Sequence, residues 1–379
     1  LASYDLIILG AGGVGSAAAY HAARRGLSVL AIDQFPPAHS LGSSHGKTRI
    51  IRLAYFEHPD YVPLLRRAYK LWEELEQAAE QRLYFETGIV EVGPADGVVV
   101  PGVLASAAQH NLVVEAWSGT ELTRRYPGFR APDDYQAVFE QRAGVLCVEP
   151  CVLAHTCLAE RHGAQFVRGE SVVSWQAAGE SVTVRTEKES YHAARLVVAA
   201  GAWSSRMLCD LNLPLVVRRK ASFWFPTDGA SYRVSSGCPA FYFELPWGHF
   251  YGLPALDEQG LKLAEHSGGQ EVVDPTGVDR EINPDDRARI ERFRQEHLPD
   301  CRSPHARHST CLYTLSPDGN FFVDRHPQHP QLALAAGLSG HGFKFTPVLG
   351  EALVDLAVDG KSELPIGFLS IDRPSSTCG

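Results

Sequence analysis

The sequence predicts an α/β protein whose nucleotide-binding domain is broken up by long insertions. Three observations predict it. Residues 4–33 run strand, glycine turn, helix, strand and acid, the order of a dinucleotide-binding unit. The next stretch that reads as part of the same sheet lies far downstream, at 166–201. The 379 residues allow two or three domains, or two lobes interleaved in the chain.

Each element has a physical basis. Leu6–Leu9 is a continuous apolar run, as a buried parallel strand should be. Gly10, Gly12 and Gly15 then fit G-x-G-x-x-G, with Gly13 and Val14 between them. Gly10 makes the tight turn, Gly12 admits a pyrophosphate against the backbone, and Gly15 lets the helix pack close to the sheet. The helix N-terminus offers N–H groups and partial positive charge to phosphates. Gly26 stands where that helix stops, Ser28–Ile32 is a second apolar strand, and Asp33 ends it in place to accept from a ribose diol. The motif alone does not separate NAD from FAD. An NAD dehydrogenase would continue with alternating strands and helices. This chain turns instead to AHSLGSSHGKTRIIRLAY at 38–55 and regains the sheet with strands at Ser171–Trp175, Val182–Arg185 and Leu196–Ala199, the first two joined by an Ala-Ala-Gly-Glu turn. Long interruptions of this kind favour FAD.

Composition narrows the function classes. Hydrophobic residues at 45% and charged residues at 21% are ordinary for a globular protein. A net charge of −9 argues against a nucleic-acid partner. No stretch approaches the roughly 20 apolar residues of a membrane span. The first residues show no secretory pattern, so a cytoplasmic setting is expected. The eight cysteines form no C-x-x-C pair and no compact framework, which speaks for free thiols and against a zinc ribbon. HPQHP at 326–330 reads as a surface turn, Arg218-Arg219-Lys220 as a strand end with solvated charge, and 373–379 as a disordered tail; no metal site is expected.

Several separated segments resemble the FAD-dependent amine oxidases that include monomeric sarcosine oxidase and N-methyltryptophan oxidase, relatives of the D-amino-acid oxidases. They are the N-terminal unit with GSSHGKTRIIRLAY, LVVAAGAWSS at 196–205, FYFELPWGHFYGLPALDEQGLKLAEHSGGQ at 241–270, CLYTLSPDGNFFVD at 311–324 and GLSGHGFKFTPVLGEAL at 337–353. The resemblance implies two lobes: a Rossmann-like FAD-binding domain over 1–85, 150–215 and 318–379, and an α+β substrate domain over 86–149 and 216–317 on a mixed, largely antiparallel sheet. It implies oxidation of a secondary amine, such as sarcosine, N-methyltryptophan or a cyclic imino acid, to an imine with O2 reduced to H2O2, by a monomer. The alternatives are a primary-amine oxidase of the glycine or D-amino-acid type and, in another class, a non-enzymatic binding protein on the same fold.

Residue by residue, the resemblance assigns Cys311 to a thioether with the flavin 8α-methyl carbon, with Arg307 expected to favour the thiolate. Arg52 and Lys344 are the carboxylate pair, a planar fork and a point charge. Lys262 is the cation for oxygen; alternation with Leu261 and Leu263 on a strand would turn it to the opposite face. His266, Tyr313, Tyr242 and Tyr251 shape the amine site, and Arg49 and His45 lie at the flavin's other face. Further cofactor contacts are expected from Ser43, Ser44, Val172, Gly201, Trp203, Gly340 and Gly342. Departures include Ser44 and Lys47 in GSSHGKT, Leu53 after Arg52, and Tyr242 where sarcosine oxidases carry a thioether side chain.

Overall fold

The apolar run at the N-terminus becomes the middle of a parallel sheet. The computed structural model describes residues 3–227, 229 and 231–373; the tail expected to be disordered lies outside these from 374 on. Ser3–Leu9 pairs in parallel with Val29–Asp33 on one side and Ser190–Val198 on the other. Gln165–Arg168 and Leu332–Ala336 extend the parallel set at its two ends. The hairpin Val172–Ala178 and Ser181–Thr186 joins antiparallel to the first half of Ser190–Val198. Side chains alternate across this sheet. Leu6 and Ile8 pack on the helices Gly13–Arg24, Val148–Arg161 and Thr346–Val358, while Ile7 and Leu9 pack toward Val182, Val184 and Met207.

A nine-stranded sheet forms the second layer. Its strands include Val216–Phe225, Leu261–Glu265, Gly248–Leu253, Ala240–Leu245, Ile89–Pro94 and Arg307–Leu315. All its pairings are antiparallel except that of Ile89–Pro94 with Ala240–Leu245. The fold is therefore the expected α/β pair of a nucleotide-type sheet and a mixed, largely antiparallel one. The first sheet takes its strands from 3–33, 165–198 and 322–336, and the second from 89–140 and 216–315. Among the described residues no helix is long and apolar enough to cross a membrane.

The period of two gives the second sheet unlike faces. Phe223, Phe225, Phe241, Phe243, Phe250, Leu261 and Leu263 form one core with Ile290 and Phe293 of the helix Pro284–His297. The registers Lys220↔Cys311, Arg218↔Tyr313, Trp224↔Lys262, Tyr242↔Tyr251 and Tyr242↔Glu91 gather the intervening residues on the other face. The expected split of Lys262 from its leucine neighbours is thus observed.

Two expectations are corrected and a third is refined. Arg219 and Lys220 are buried, not solvated. Their strand lies inside the sheet, so the triplet alternates between faces and each buried cation needs acceptors: Arg219 pairs with Asp286 at 2.6 Å and donates to the Asp279 carbonyl at 2.9 Å. His326 is also buried; its Nε2 meets Asp210 at 2.7 Å, and Trp175 stands edge-on against its ring. His326 Nδ1 accepts from the Gln328 N–H, which leaves Nε2 as the proton-bearing donor to Asp210. HPQHP is the expected surface turn, joining Phe322–Arg325 to Leu332–Ala336 with Pro327, Gln328 and Pro330 exposed, but its first histidine is anchored beneath Trp175. Arg373, taken as the start of the loose tail, binds Asp318 at 2.8 and 2.9 Å.

Phe293 is fully buried and stacks on Phe250 at 4.8 Å. Phe293→Ala should cost about 3–5 kcal/mol of stability through the cavity it leaves. A lowered thermal midpoint, followed by tryptophan fluorescence, checks this; an unchanged midpoint would refute the proposed packing role.

Candidate functional site

A groove runs along the carboxyl ends of the parallel strands, where an α/β sheet takes its ligand. It encloses ≈ 190 Å³. Gly10, Gly12, Gly13, Val14 and Asp33 form one bank, with Ser43, Ser44 and Arg49 beside them. Val172, Gly201, Trp203, Gly340 and Gly342 complete the lining, with the Trp203 ring 5.6 Å from Phe35. Gly15 lies off the groove: a Cβ there would stand 1.7 Å from the Gly10 carbonyl oxygen, so it serves the close packing of helix on turn. The Asp33 carboxylate accepts from Ala11 N at 2.7 Å and Phe35 N at 2.9 Å, which shapes the turn. Ser44 Oγ accepts from Gly13 N at 3.0 Å. Gly12, the N-cap of the helix Gly13–Arg24, has no side chain of its own, and Gly12, Gly13 and Val14 line the groove, so the helix's positive end meets it.

These residues fit FAD. The helix end suits the pyrophosphate, and the far end is kept free of side chains: at Gly340, φ is +80° and a Cβ would lie 2.2 Å from the Tyr313 ring. At that end the groove meets a second cavity of ≈ 50 Å³, the two sharing Arg49, Tyr313, Gly340 and Phe343.

The second cavity is lined by Arg52, Glu57, Tyr242, Tyr251, His266, His341 and Lys344 among others. Arg52 is 3% exposed, not a surface residue. It pairs with Glu57 at 2.8 Å and Glu91 at 3.0 Å, under Tyr55 and Phe56. Its Nη1 is buried without a hydrogen-bond partner, as are both Glu91 oxygens. Burial works against the Arg52 charge, yet Glu57 and Glu91 hold its pKa above the usual range. Burial likewise opposes the Glu57 carboxylate, but Arg52 holds it at about 2. Burial pushes Glu91 up to about 8, with Arg52 opposing. Lys344 donates to the His341 carbonyl at 2.8 Å and to Tyr55 Oη at 3.2 Å. Burial, reinforced by Arg52, brings Lys344 down to about 7. An orphaned guanidinium nitrogen beside a reluctant ammonium suits a carboxylate.

His266 lies with its ring centroid 5.6 Å from Tyr313 and 5.9 Å from Tyr242. Burial first, then Lys220, holds its pKa well below the usual value, so the ring is neutral. Tyr242 Oη meets His249 Nδ1 at 3.2 Å, and its ring lies 5.3 Å from Phe56. The cavity is thus walled by rings.

His45, Lys262 and Cys311 sit behind the cavities, not in their walls. Lys262 is 1% exposed and donates to the carbonyls of Gly46 at 2.7 Å and Thr48 at 3.0 Å, with Trp224 at 5.3 Å. Burial, then Arg49, lowers its pKa far below the usual value. Arg49 donates to Ser43 and Thr48 carbonyls, and His45 Nε2 meets the Gly42 carbonyl at 3.1 Å. Arg307 does not serve Cys311. Four residues of strand separate them by about 13 Å, and Arg307 turns to Trp224 at 4.6 Å and to Gln259. The cations that act electrostatically on Cys311 are Arg49, Lys220, Lys262 and Arg280.

Sequence reasoning missed Glu57, Glu91, His341 and Lys220. Glu91 had a signal: it breaks the apolar strand IVEV at a position that turns inward. His341 lay in plain view in SGHGFKF. Glu57, on a loop, had none.

Comparison with known proteins bears on this geometry. A family model described as FAD dependent oxidoreductase matches residues 5–356. Monomeric sarcosine oxidase of Bacillus sp. (strain NS-129) is 40% identical, over 98% of this chain and 97% of its own. N-methyl-L-tryptophan oxidase of Salmonella enteritidis is 39% identical, over 98% and 99%. Among solved structures, NikD, an unusual amino acid oxidase essential for nikkomycin biosynthesis, superposes with a TM-score of 0.87 at 25% identity, covering 98% of each chain.

A small carboxylate should bind best while Lys344 is protonated. Acetate affinity, measured by calorimetry, is expected to fall as pH rises through about 7, where the free lysine loses its charge. Lys344→Met should flatten that dependence; a wild-type profile level from pH 6 to 8 would sink the assignment.

Proposed function

The chain belongs to the FAD dependent oxidoreductase family, and on that premise we propose a secondary-amine oxidase for N-methyl amino acids such as sarcosine or N-methyltryptophan. The amine is oxidised by two electrons to an imine, which water hydrolyses, and O2 is reduced to H2O2. One observation carries the substrate class: Arg52 and Lys344, both buried, face a cavity that opens on the FAD groove at Tyr313 and Gly340. The 40% identity to a sarcosine oxidase supports the same class. Membership in this family of enzymes removes the alternative of a binding-only protein.

FAD supplies the acceptor for the electrons of the C–N bond and their passage to O2. The protein's side chains do the rest. Arg52 and Lys344 hold the substrate carboxylate, which exchanges with Glu57 at the guanidinium. That grip directs the amine toward the junction of the two cavities. The neutral His266 ring offers a hydrogen-bond partner that keeps the amine as the free base. Tyr242, Tyr251 and Tyr313 wall off water. Lys262 and Arg49 place fixed positive charge where oxygen gains electrons. Cys311, a buried thiol near those cations, would hold FAD through a thioether at the 8α-methyl carbon, that carbon losing a proton and the flavin taking up the two electrons released. We read the protein as a cytoplasmic monomer; all the cysteines among the described residues are free thiols, which supports a reducing setting.

Peroxide release should be fastest with an N-methyl amino acid and slow with glycine and D-alanine; the reverse order would favour a primary-amine oxidase. Lys262→Met should slow reoxidation of the reduced enzyme by about 10²–10³-fold, by analogy with loss of one oxyanion donor. After acid precipitation, yellow colour should stay with the wild-type polypeptide and leave that of Cys311→Ser. Colour in the supernatant from both would exclude the thioether.

A further inference from the structure

Lys220 is a buried cation to which the proposed reaction gives no role. It lies on Val216–Phe225 opposite Cys311 and is 4% exposed. Its ammonium donates to the carbonyls of His266 at 2.9 Å, Gly268 at 3.1 Å, and Ser267. Three carbonyls of one turn therefore converge on a single side chain. The turn is strongly bent, with Gly268 at φ +63° and Gly269 at φ +97°. It ends the strand Leu261–Glu265, and its first residue carries the imidazole that lines the amine cavity. The ammonium also lies 5.3 Å from the centre of the Tyr313 ring, which borders both cavities.

We propose that Lys220 is a positioning residue for the amine site: by clamping the 266–268 carbonyls it fixes the turn that aims the His266 ring, and it sets a positive charge close to that ring. The proposal rests on the amine-oxidase reading and adds the device that sets its histidine. Other groups face His266 as well. Tyr313 and Tyr242 bracket the ring, and His249, His341 and Glu57 act on it electrostatically. Of the charges, Lys220 acts most strongly after burial itself. Lys220 in turn feels Glu265, Cys311, Arg218 and Asp286; burial lowers it to about 8, so it is charged at neutral pH. A bare structural clamp would support the turn equally well with a neutral donor. A cation does more: it discourages protonation of the imidazole, which would otherwise meet the incoming amine with like charge.

The FAD-loaded enzyme provides the test. Lys220→Gln keeps hydrogen-bond donors and drops the charge; Lys220→Arg keeps the charge. Two readouts are followed: the acid limb of kcat/KM with an N-methyl amino acid, and the ring resonance of ¹⁵N-labelled histidine that is missing in His266→Gln. Lys220→Gln should raise both midpoints by about one pH unit, Lys220→Arg should return them toward wild type, and adding Lys220→Gln to His266→Gln should move nothing further. In the unmutated enzyme the His266 resonance should also inflect near pH 8, as Lys220 gives up its proton, which needs no variant to fold. If no amine is turned over, the amine-oxidase reading fails alone, since the resonance still reports on Lys220. An unmoved His266 titration in Lys220→Gln with the flavin spectrum intact, or no inflection in the wild type, overturns the proposal.

Discussion

Four side-chain cations, those of Arg52, Lys220, Lys262 and Lys344, are buried at the seam between two sheets, and the site depends on how each is compensated. An ion moved from water into protein costs several kcal/mol unless partners replace its hydration. Only Arg52 has carboxylates in contact. Lys220 and Lys262 are held by backbone carbonyls, and Lys344 by a carbonyl and a phenol. Carbonyl compensation brings no counter-charge, while burial lowers the pKa of all three lysines. The seam is therefore electropositive inside a protein whose net charge is −9.

That local surplus accounts for the chemistry assigned to the cavities. On the proposed function, a substrate carboxylate and oxygen gaining electrons both bring negative charge, and each would meet a cation already desolvated and oriented. The partition is spatial. Arg52 and Lys344 line the small cavity, whereas Lys262 is held to the carbonyls of Gly46 and Thr48, at the start of the strand that carries Arg49. The histidines follow the same logic in reverse. Burial keeps His45 at about 3 and His341 at about 4, so neither adds charge at neutral pH.

The sheet faces make the partition possible. In Ala240–Leu245 the order Phe241, Tyr242, Phe243 sends phenylalanine into the core and tyrosine into the cavity. In Leu261–Glu265 the leucines join that same core and Lys262 turns to the seam. These assignments were legible, because a period of two is a local property of a strand. The glycine turn, the first strand pair and the interrupted return to the sheet were legible for the same reason. The buried state of Lys220 and of His326 was not. A basic triplet and a proline-flanked histidine pair look solvated when only chain neighbours are seen.

What the sequence determined by itself was every feature written in neighbouring residues: the nucleotide turn, the alternation of strand faces, and the identity of the side chains that resemble a flavin oxidase's. The tertiary structure alone decided which charges share a dielectric. It drew Arg307 away to Trp224, brought Arg49 and Lys262 around Cys311, and set Glu57 and Glu91 on Arg52. Charge interactions depend on distance and burial through space, and neither quantity follows from separation along the chain.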